Sequence, residues 1–186
     1  MAPAAIVLAA GASTRMGQPK ALLLHRGRAW VRCAVDLAAG CDPILVVTGA
    51  MDLAAVDLAP ATRIQNDAWP KGQLSSLQRG LEILRDPVGL LVLTVDRPHV
   101  RPATVAALLA AFTADPAYIW QPAHAGRRGH PIVYPAALLP ALRVLPADAS
   151  PRDLLAHHED LRRSLAVDDP AVLDNLDSPA DLARLA

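Results

Sequence analysis

Residues 89–95 read Gly-Leu-Leu-Val-Leu-Thr-Val and stop abruptly at Asp96-Arg97-Pro98. A run so short and so uniformly apolar has no polar face to turn to water. It therefore fits a strand covered on both sides, at the centre of a sheet. Covering both faces takes helices, and the rest of the chain alternates short apolar runs with helical stripes, the pattern of an α/β fold with a mainly parallel sheet.

The other expected strands are Ile6-Val7-Leu8, Ile44–Val47, Arg63-Ile64-Gln65, Tyr118–Gln121, Ile132-Val133-Tyr134 and an edge strand over Leu161–Val167. Between them, Ala29–Ala39 sets Trp30, Val31, Ala34, Val35 and Ala38 on one stripe and ends at Gly40. Helices are also expected over Gln73–Leu84, Pro102–Phe112, Ala136–Leu145 and Pro151–His158, with a short helical stretch near Asp52–Val56. Ala125–Pro131 reads as a flexible basic turn. Ser178 and Pro179 are placed to cap and open a terminal helix.

A length of 186 residues with 53 % hydrophobic content suits one domain spanning 1–186 with a sizeable core. Formal net charge is zero, which argues against a nucleic-acid partner. No apolar run approaches the ~20 residues of a membrane span, and Ile6–Ala10 is too short for a signal-peptide core. Cys33 and Cys41 lack zinc-type spacing and read as packing residues in a reducing cytoplasm. Only two lysines, Lys20 and Lys71, stand among sixteen arginines, and each follows a proline in a Gly-containing segment.

Three polar clusters fall where an open parallel sheet binds ligands, beyond the carboxyl ends of its strands. The first is the loop after Ile6-Val7-Leu8, in which Gly11 and Gly17 allow close backbone approach while Arg15 and Lys20 offer cations to a phosphate. Its spacing is neither a Walker loop, since after four intervening residues Met16 and not glycine follows Gly11, nor a dinucleotide fingerprint, since Ser13 takes the second glycine's place. The second is Asp96-Arg97-Pro98. If the loop holds a triphosphate, Asp96 is the natural ligand for its Mg²⁺; the other reading makes it a helix cap or turn residue. The third is the polar segment Asn66–Gly72 before Gln73, and in the helix it leads into Ser75 and Ser76 either meet a ligand or simply cap the helix. His99, His124 and His130 read as solvated turn residues, and no nucleophilic triad or zinc box is present.

Leu8-Ala9-Ala10-Gly11-Ala12-Ser13-Thr14-Arg15-Met16-Gly17-Gln18-Pro19-Lys20 closely resembles the LAAGxSxRMGxxK signature of the nucleotidyltransferases that act on molybdenum cofactor. Gly72–Leu77, Asp96-Arg97-Pro98, Gly129-His130-Pro131 and Asn175-Leu176-Asp177-Ser178-Pro179 resemble four further segments of that family, in order. The resemblance implies a three-layer Rossmann-like fold with a mainly parallel mixed sheet, and transfer of NMP from an NTP to a phosphorylated acceptor with release of pyrophosphate. Guanylyltransferases of the family carry Leu-x-Gly-Gly at Leu8–Gly11. Alanine at position 10 is similar to the cytidylyltransferase branch, which implies CTP as donor and molybdopterin cofactor as acceptor.

By position, the resemblance implies that Arg15 and Lys20 bind the triphosphate and stabilise charge developing on it. Asp96 would hold Mg²⁺, with Asn175 or Asp177 as second ligand. The nucleotide would lie against Leu8, Ala9, Ala10, Gly11, Ser13 and Gly17, with Gln73, Ser75 and Ser76 near base and ribose. Two departures fall in the acceptor half. Gly27-Arg28-Ala29-Trp30-Val31 lacks the family's proline, and Asp148-Ala149-Ser150-Pro151 stands in place of a Gly-Ala-Arg segment. A sugar phosphate as acceptor, or a non-catalytic accessory protein serving a molybdoenzyme, are the alternatives.

Overall fold

The computed structural model describes residues 1–183. Its framework is a sheet in the order β10-β7-β9-β6-β1-β4-β5. In chain order the strands are β1 (Ala4–Leu8), β2 (Leu24–His25), β3 (Arg28–Ala29), β4 (Ile44–Thr48), β5 (Thr62–Gln65), β6 (Gly89–Thr94), β7 (Ile119–His124), β8 (Arg127–Arg128), β9 (Ile132–Pro135) and β10 (Arg162–Ala166). β1 pairs in parallel with β4 and β6, β4 with β5, and β7 with β10. Only β9, between β6 and β7, and the short β8 run the other way. The apolar run at Gly89 thus forms the middle strand of this path.

Side chains on successive residues of β1 point to opposite faces and so divide the core in two. Ala5 and Val7, with Leu91 and Leu93 of β6, pack beneath α1 (Trp30–Leu37) and α3 (Pro102–Ala114). Ile6 and Leu8, with Leu90 and Val92, pack against α2 (Gln73–Ile83), α4 (Leu139–Arg143) and α5 (Pro151–His157). The result is the expected three layers. A third, small cluster joins Met16, Trp30 and Leu176, each at most 2 % exposed, and so ties the loop after β1 to the C-terminal segment.

Three local expectations need correction. Asp52–Val56 forms turns rather than a helix, because the Asp52 carboxylate accepts from the Ala54 N–H at 2.8 Å and satisfies the backbone locally. The basic turn at 125–131 contains a tight hairpin: His124 pairs with Arg127 around Ala125 and Gly126, at φ 48° and 74°. Two consecutive positive φ values give the turn whose twist matches its strands. A second such hairpin, β2–β3, turns on Arg26 and Gly27, where no strand is expected from the sequence.

The terminal helix α6 runs Pro179–Leu182, with Ser178 and Asp181 in a reciprocal capping box. Cys33 and Cys41 are free and buried, and burial pushes the Cys41 thiol up to about 12. No helix among the described residues is long and apolar enough to cross a membrane.

Candidate active site

At the carboxyl ends of β1 and β6 lies a cavity of about 450 Å³. Its first wall is the loop after β1, where Leu8, Ala9, Ala10, Gly11, Ser13 and Arg15 line the space together with Lys20. The loop is pinned at both ends. Ala9 donates its N–H to Val47 O at 2.9 Å, and Ala10 O accepts from Ala50 N at 3.0 Å. Farther on, Ser13 Oγ accepts from Lys20 N at 3.0 Å, folding the loop back on itself. Met16 anchors it against Trp30 and Leu176. Gly17 is not among the residues lining the cavity, and its φ of 73° lets the chain leave a single 3₁₀ turn.

The second wall is the start of α2. Gly72 enters that helix at φ 103°, a conformation side chains rarely adopt, and Gln73 and Ser76 line the cavity beside Trp69. Buried Asn66 holds this corner together, donating to Ser75 Oγ at 3.1 Å and Ser76 Oγ at 3.0 Å while accepting from Ala68 N at 3.0 Å. Ser75 Oγ donates to the carbonyls of Ala68 and Gly72 and lies off the cavity, so it braces the corner. Sequence reasoning places the segment Asn66–Gly72 beside the site but assigns no role to Asn66 or Trp69. A buried asparagine two residues before an alanine and a tryptophan carries no periodic signal that sets it apart from any polar turn.

Charge completes the site. Asp96, following β6, and Asp177, from the C-terminal segment, both reach the cavity. Asp96 accepts from the Thr94 hydroxyl and from Arg97 Nη1 at 2.8 Å. Asp177 pairs with the Lys20 ammonium and with Arg15 Nη2 at 2.8 Å. Burial pushes the Asp177 carboxyl up, but the hydrogen bond and charge of Lys20, aided by Arg15, hold it below the usual carboxylate range. Lys20 is 11 % exposed at its side chain and Arg15 is 74 % exposed, so one cation meets Asp177 from within the wall and the other from the solvent side. Asn175 stands one step back, donating to Asp177 and accepting from Arg97 Nη2 at 3.2 Å. The backbone N–H of Leu176 donates to Asp96 O at 3.2 Å and sets the two acidic segments side by side.

Carboxylate oxygens of this kind suit a hard divalent cation. No group of three or more His, Cys, Asp or Glu among the described residues forms a self-sufficient metal site. Two carboxylates on one cavity wall match a magnesium-like ion, which takes one or two protein carboxylates and completes its shell with phosphate and water.

The histidines differ from expectation. His130 is half-buried with its Nδ1 sealed from solvent, and its pKa is lowered to about 3, by burial first and then by the charges of Arg97 and Arg152. His99 Nε2 lies 2.8 Å from Asp174 Oδ2, and only His124 keeps to the rim of the β7–β8 turn, with Nδ1 3.1 Å from Val167 O. A turn residue is drawn away from solvent when a later part of the chain, here residues 170–174, folds over it; His130 N donates to Val172 O at 2.9 Å.

Comparison with known proteins gives a consistent result. Residues 5–161 match the model of the MobA-like NTP transferase domain. Nicotine blue oxidoreductase of Paenarthrobacter nicotinovorans is 32 % identical, over 97 % of this chain and 94 % of its own. A probable molybdenum cofactor guanylyltransferase of Nostoc sp. is 30 % identical, over 96 % of this chain and 88 % of its own. Among solved structures, Rv0371c of Mycobacterium tuberculosis H37Rv superposes with a TM-score of 0.79 at 27 % identity, covering 100 % of this chain and 98 % of its own. A structure of Rv0371c in complex with manganese gives 0.74 at 26 % identity, with the same coverage.

Proposed function

The chain belongs to the MobA-like NTP transferase family and is a nucleotidyltransferase of that kind, and from that premise we propose that it transfers CMP from magnesium-bound CTP to the phosphate of molybdopterin cofactor, releasing pyrophosphate. The observation that carries this reading is the pairing of Lys20 and Arg15 with Asp177 at a cavity whose wall also holds Asp96. Cations for phosphate and carboxylates for a metal meet at one nucleotide-sized space.

A phosphate monoester has a second pKa of ~6, so at neutral pH the acceptor is already largely a dianion. No side chain has to remove a proton. An acceptor oxygen bonds to the α-phosphorus of the donor as the bond from that phosphorus to the bridging oxygen breaks, and the electron pair leaves on pyrophosphate. Arg15 and Lys20 exchange Asp177 for triphosphate oxygens and neutralise the charge that builds there. The backbone from Leu8 to Gly11, with Ser13, borders the phosphates, and Gln73 and Ser76 border base and ribose. A bound divalent cation supplies further neutralisation of the phosphates, and Asp96 and Asp177 are the groups to hold it, with Asn175 steadying Asp177.

Ala10 supports the choice of CTP, while the guanylyltransferase relative makes GTP the competing donor. The acceptor follows from that relative's name and implies a later hand-over to a molybdoenzyme in the cytoplasm. Purified protein is to be incubated with each of CTP, GTP, UTP and ATP, with molybdopterin cofactor or sugar phosphates, and pyrophosphate measured. CTP with molybdopterin cofactor is expected to be fastest; release from GTP alone would replace the donor, and no release from any pair would sink the transferase reading. The oxidoreductase relative, at 32 % identity, favours a second reading in which the cavity takes a nucleotide reductant. Under it two electrons pass from the reduced nucleotide to an organic acceptor, one oxidised as the other is reduced, and no pyrophosphate appears.

A further inference from the structure

Arg97 lies between the two acidic segments, with a side chain only 13 % exposed. Its Nη1 donates to Thr94 Oγ1 at 2.7 Å and to Asp96 Oδ1 at 2.8 Å, and its Nη2 to Asn175 Oδ1 at 3.2 Å. Asn175 in turn donates to Asp177. One planar fork thus spans from the turn after β6 to the C-terminal segment, alongside the backbone bond from Leu176 N to Asp96 O. A lysine, a point charge on a flexible stem, cannot hold both ends in a fixed plane.

The third nitrogen of this side chain is unaccounted for. Arg97 Nε is buried and has no partner among the described residues, and the same is true of His130 Nδ1. Both residues, with Thr94, line a cavity of about 10 Å³. That is roughly the room one water needs. Held at about 3, the His130 ring is neutral, so its bare nitrogen accepts while Arg97 Nε–H donates. A water between them satisfies both.

We propose that Arg97 is a positioning residue that fixes Asp96 and Asp177 at one spacing, and that His130 holds Arg97 in place through a single buried water. The purpose of that spacing, to receive a metal-bound nucleotide, rests on the nucleotidyltransferase reading. The coupling itself belongs to the unliganded protein, which lets the two be tested apart.

Hydrogen exchange of the Leu176 amide reports the coupling directly. Arg97→Met and His130→Leu should each speed that exchange by about tenfold or more, the scale of a lost charge-assisted hydrogen bond, while β6 amides stay protected. Arg97→Lys should restore the Arg97→Met loss only in part. With nucleotide present, Arg97→Met should raise the half-saturating Mn²⁺ concentration by about tenfold and leave the KM for nucleotide within about twofold. Unchanged Leu176 exchange in Arg97→Met, or full restoration by lysine, overturns the proposal. If wild type releases no pyrophosphate from any donor, the transferase reading fails, and the exchange arm still decides whether Arg97 couples the segments. Unchanged exchange in His130→Leu overturns the His130 link; should that variant fail to fold, His130→Phe, a ring of similar shape without the nitrogen, gives the same readout and decides the same question.

Discussion

Lys20 is a nearly buried ammonium whose partner is the Asp177 carboxylate, and Asp96 is a carboxylate held by a hydroxyl and a guanidinium. Such groups stabilise a transition state well because they need little reorganisation when charge develops nearby. Lys20→Ala and Asp96→Ala are each expected to lower turnover by about two orders of magnitude or more, measured as pyrophosphate release from the preferred donor. A near-wild-type rate for Asp96→Ala would remove it from the metal site. His130 gives a separate pH signature. Its folded pKa is about 3, against ~6.5 in an unfolded chain, so below ~6.5 the unfolded state binds more protons and the fold loses stability as pH falls toward 3. The imidazole's contribution is fully present above ~6.5. His130→Asn should therefore melt with a flatter pH dependence than wild type between pH ~6.5 and ~3; equal slopes would show that His130 is not buried as a neutral ring.

Asn66 serves an element rather than the chemistry, since its three hydrogen bonds knit the turn before α2 to the first turn of that helix. Asn66→Ala leaves buried hydroxyls short of a donor and should cost about 1–3 kcal/mol, read as a lower Tm, together with a weaker thermal shift on adding nucleotide. Loss of Tm with the nucleotide shift intact would mean that the corner is not part of the binding surface. The sequence disclosed the strands and helices that bury large faces, because burial leaves its mark on the pattern, as an unbroken apolar run at Leu90–Leu93 or a helical stripe at Trp30–Ala38. It also disclosed the loop after β1, whose Gly and cation spacing resembles a known signature. It did not disclose the β2–β3 hairpin, four strand residues whose formation turns on positive φ at Arg26 and Gly27. Nor did it disclose the bracing roles of Ser75 and Asn66, which depend on where α2 meets the preceding turn. In the sequence Arg97 and His130 stand only as parts of motifs, since their orphaned nitrogens become visible only once distant segments close over them.

At the scale of the molecule, the site is closed by a segment that lies beyond residue 161, where the match to the family model ends. Residues 162–166 add β10 to the sheet beside β7, and residues 174–177 then pass under the loop after β1. Leu176, fully buried against Met16 and Trp30, fastens that passage. Leu176→Ala should cost about 2–5 kcal/mol and weaken nucleotide binding together with stability, whereas a similar cavity made at Leu142, also fully buried but on the α4 side, should cost stability alone. Nucleotide binding that survives Leu176→Ala unchanged would show that the segment does not shape the site. The Lys20–Asp177 contact joins positions 157 residues apart. During synthesis, then, the first loop emerges early with its cations uncompensated and waits for almost the whole chain before its counter-charge arrives. Any product cut short before Asp177 carries the recognisable signature of the family without the finished site.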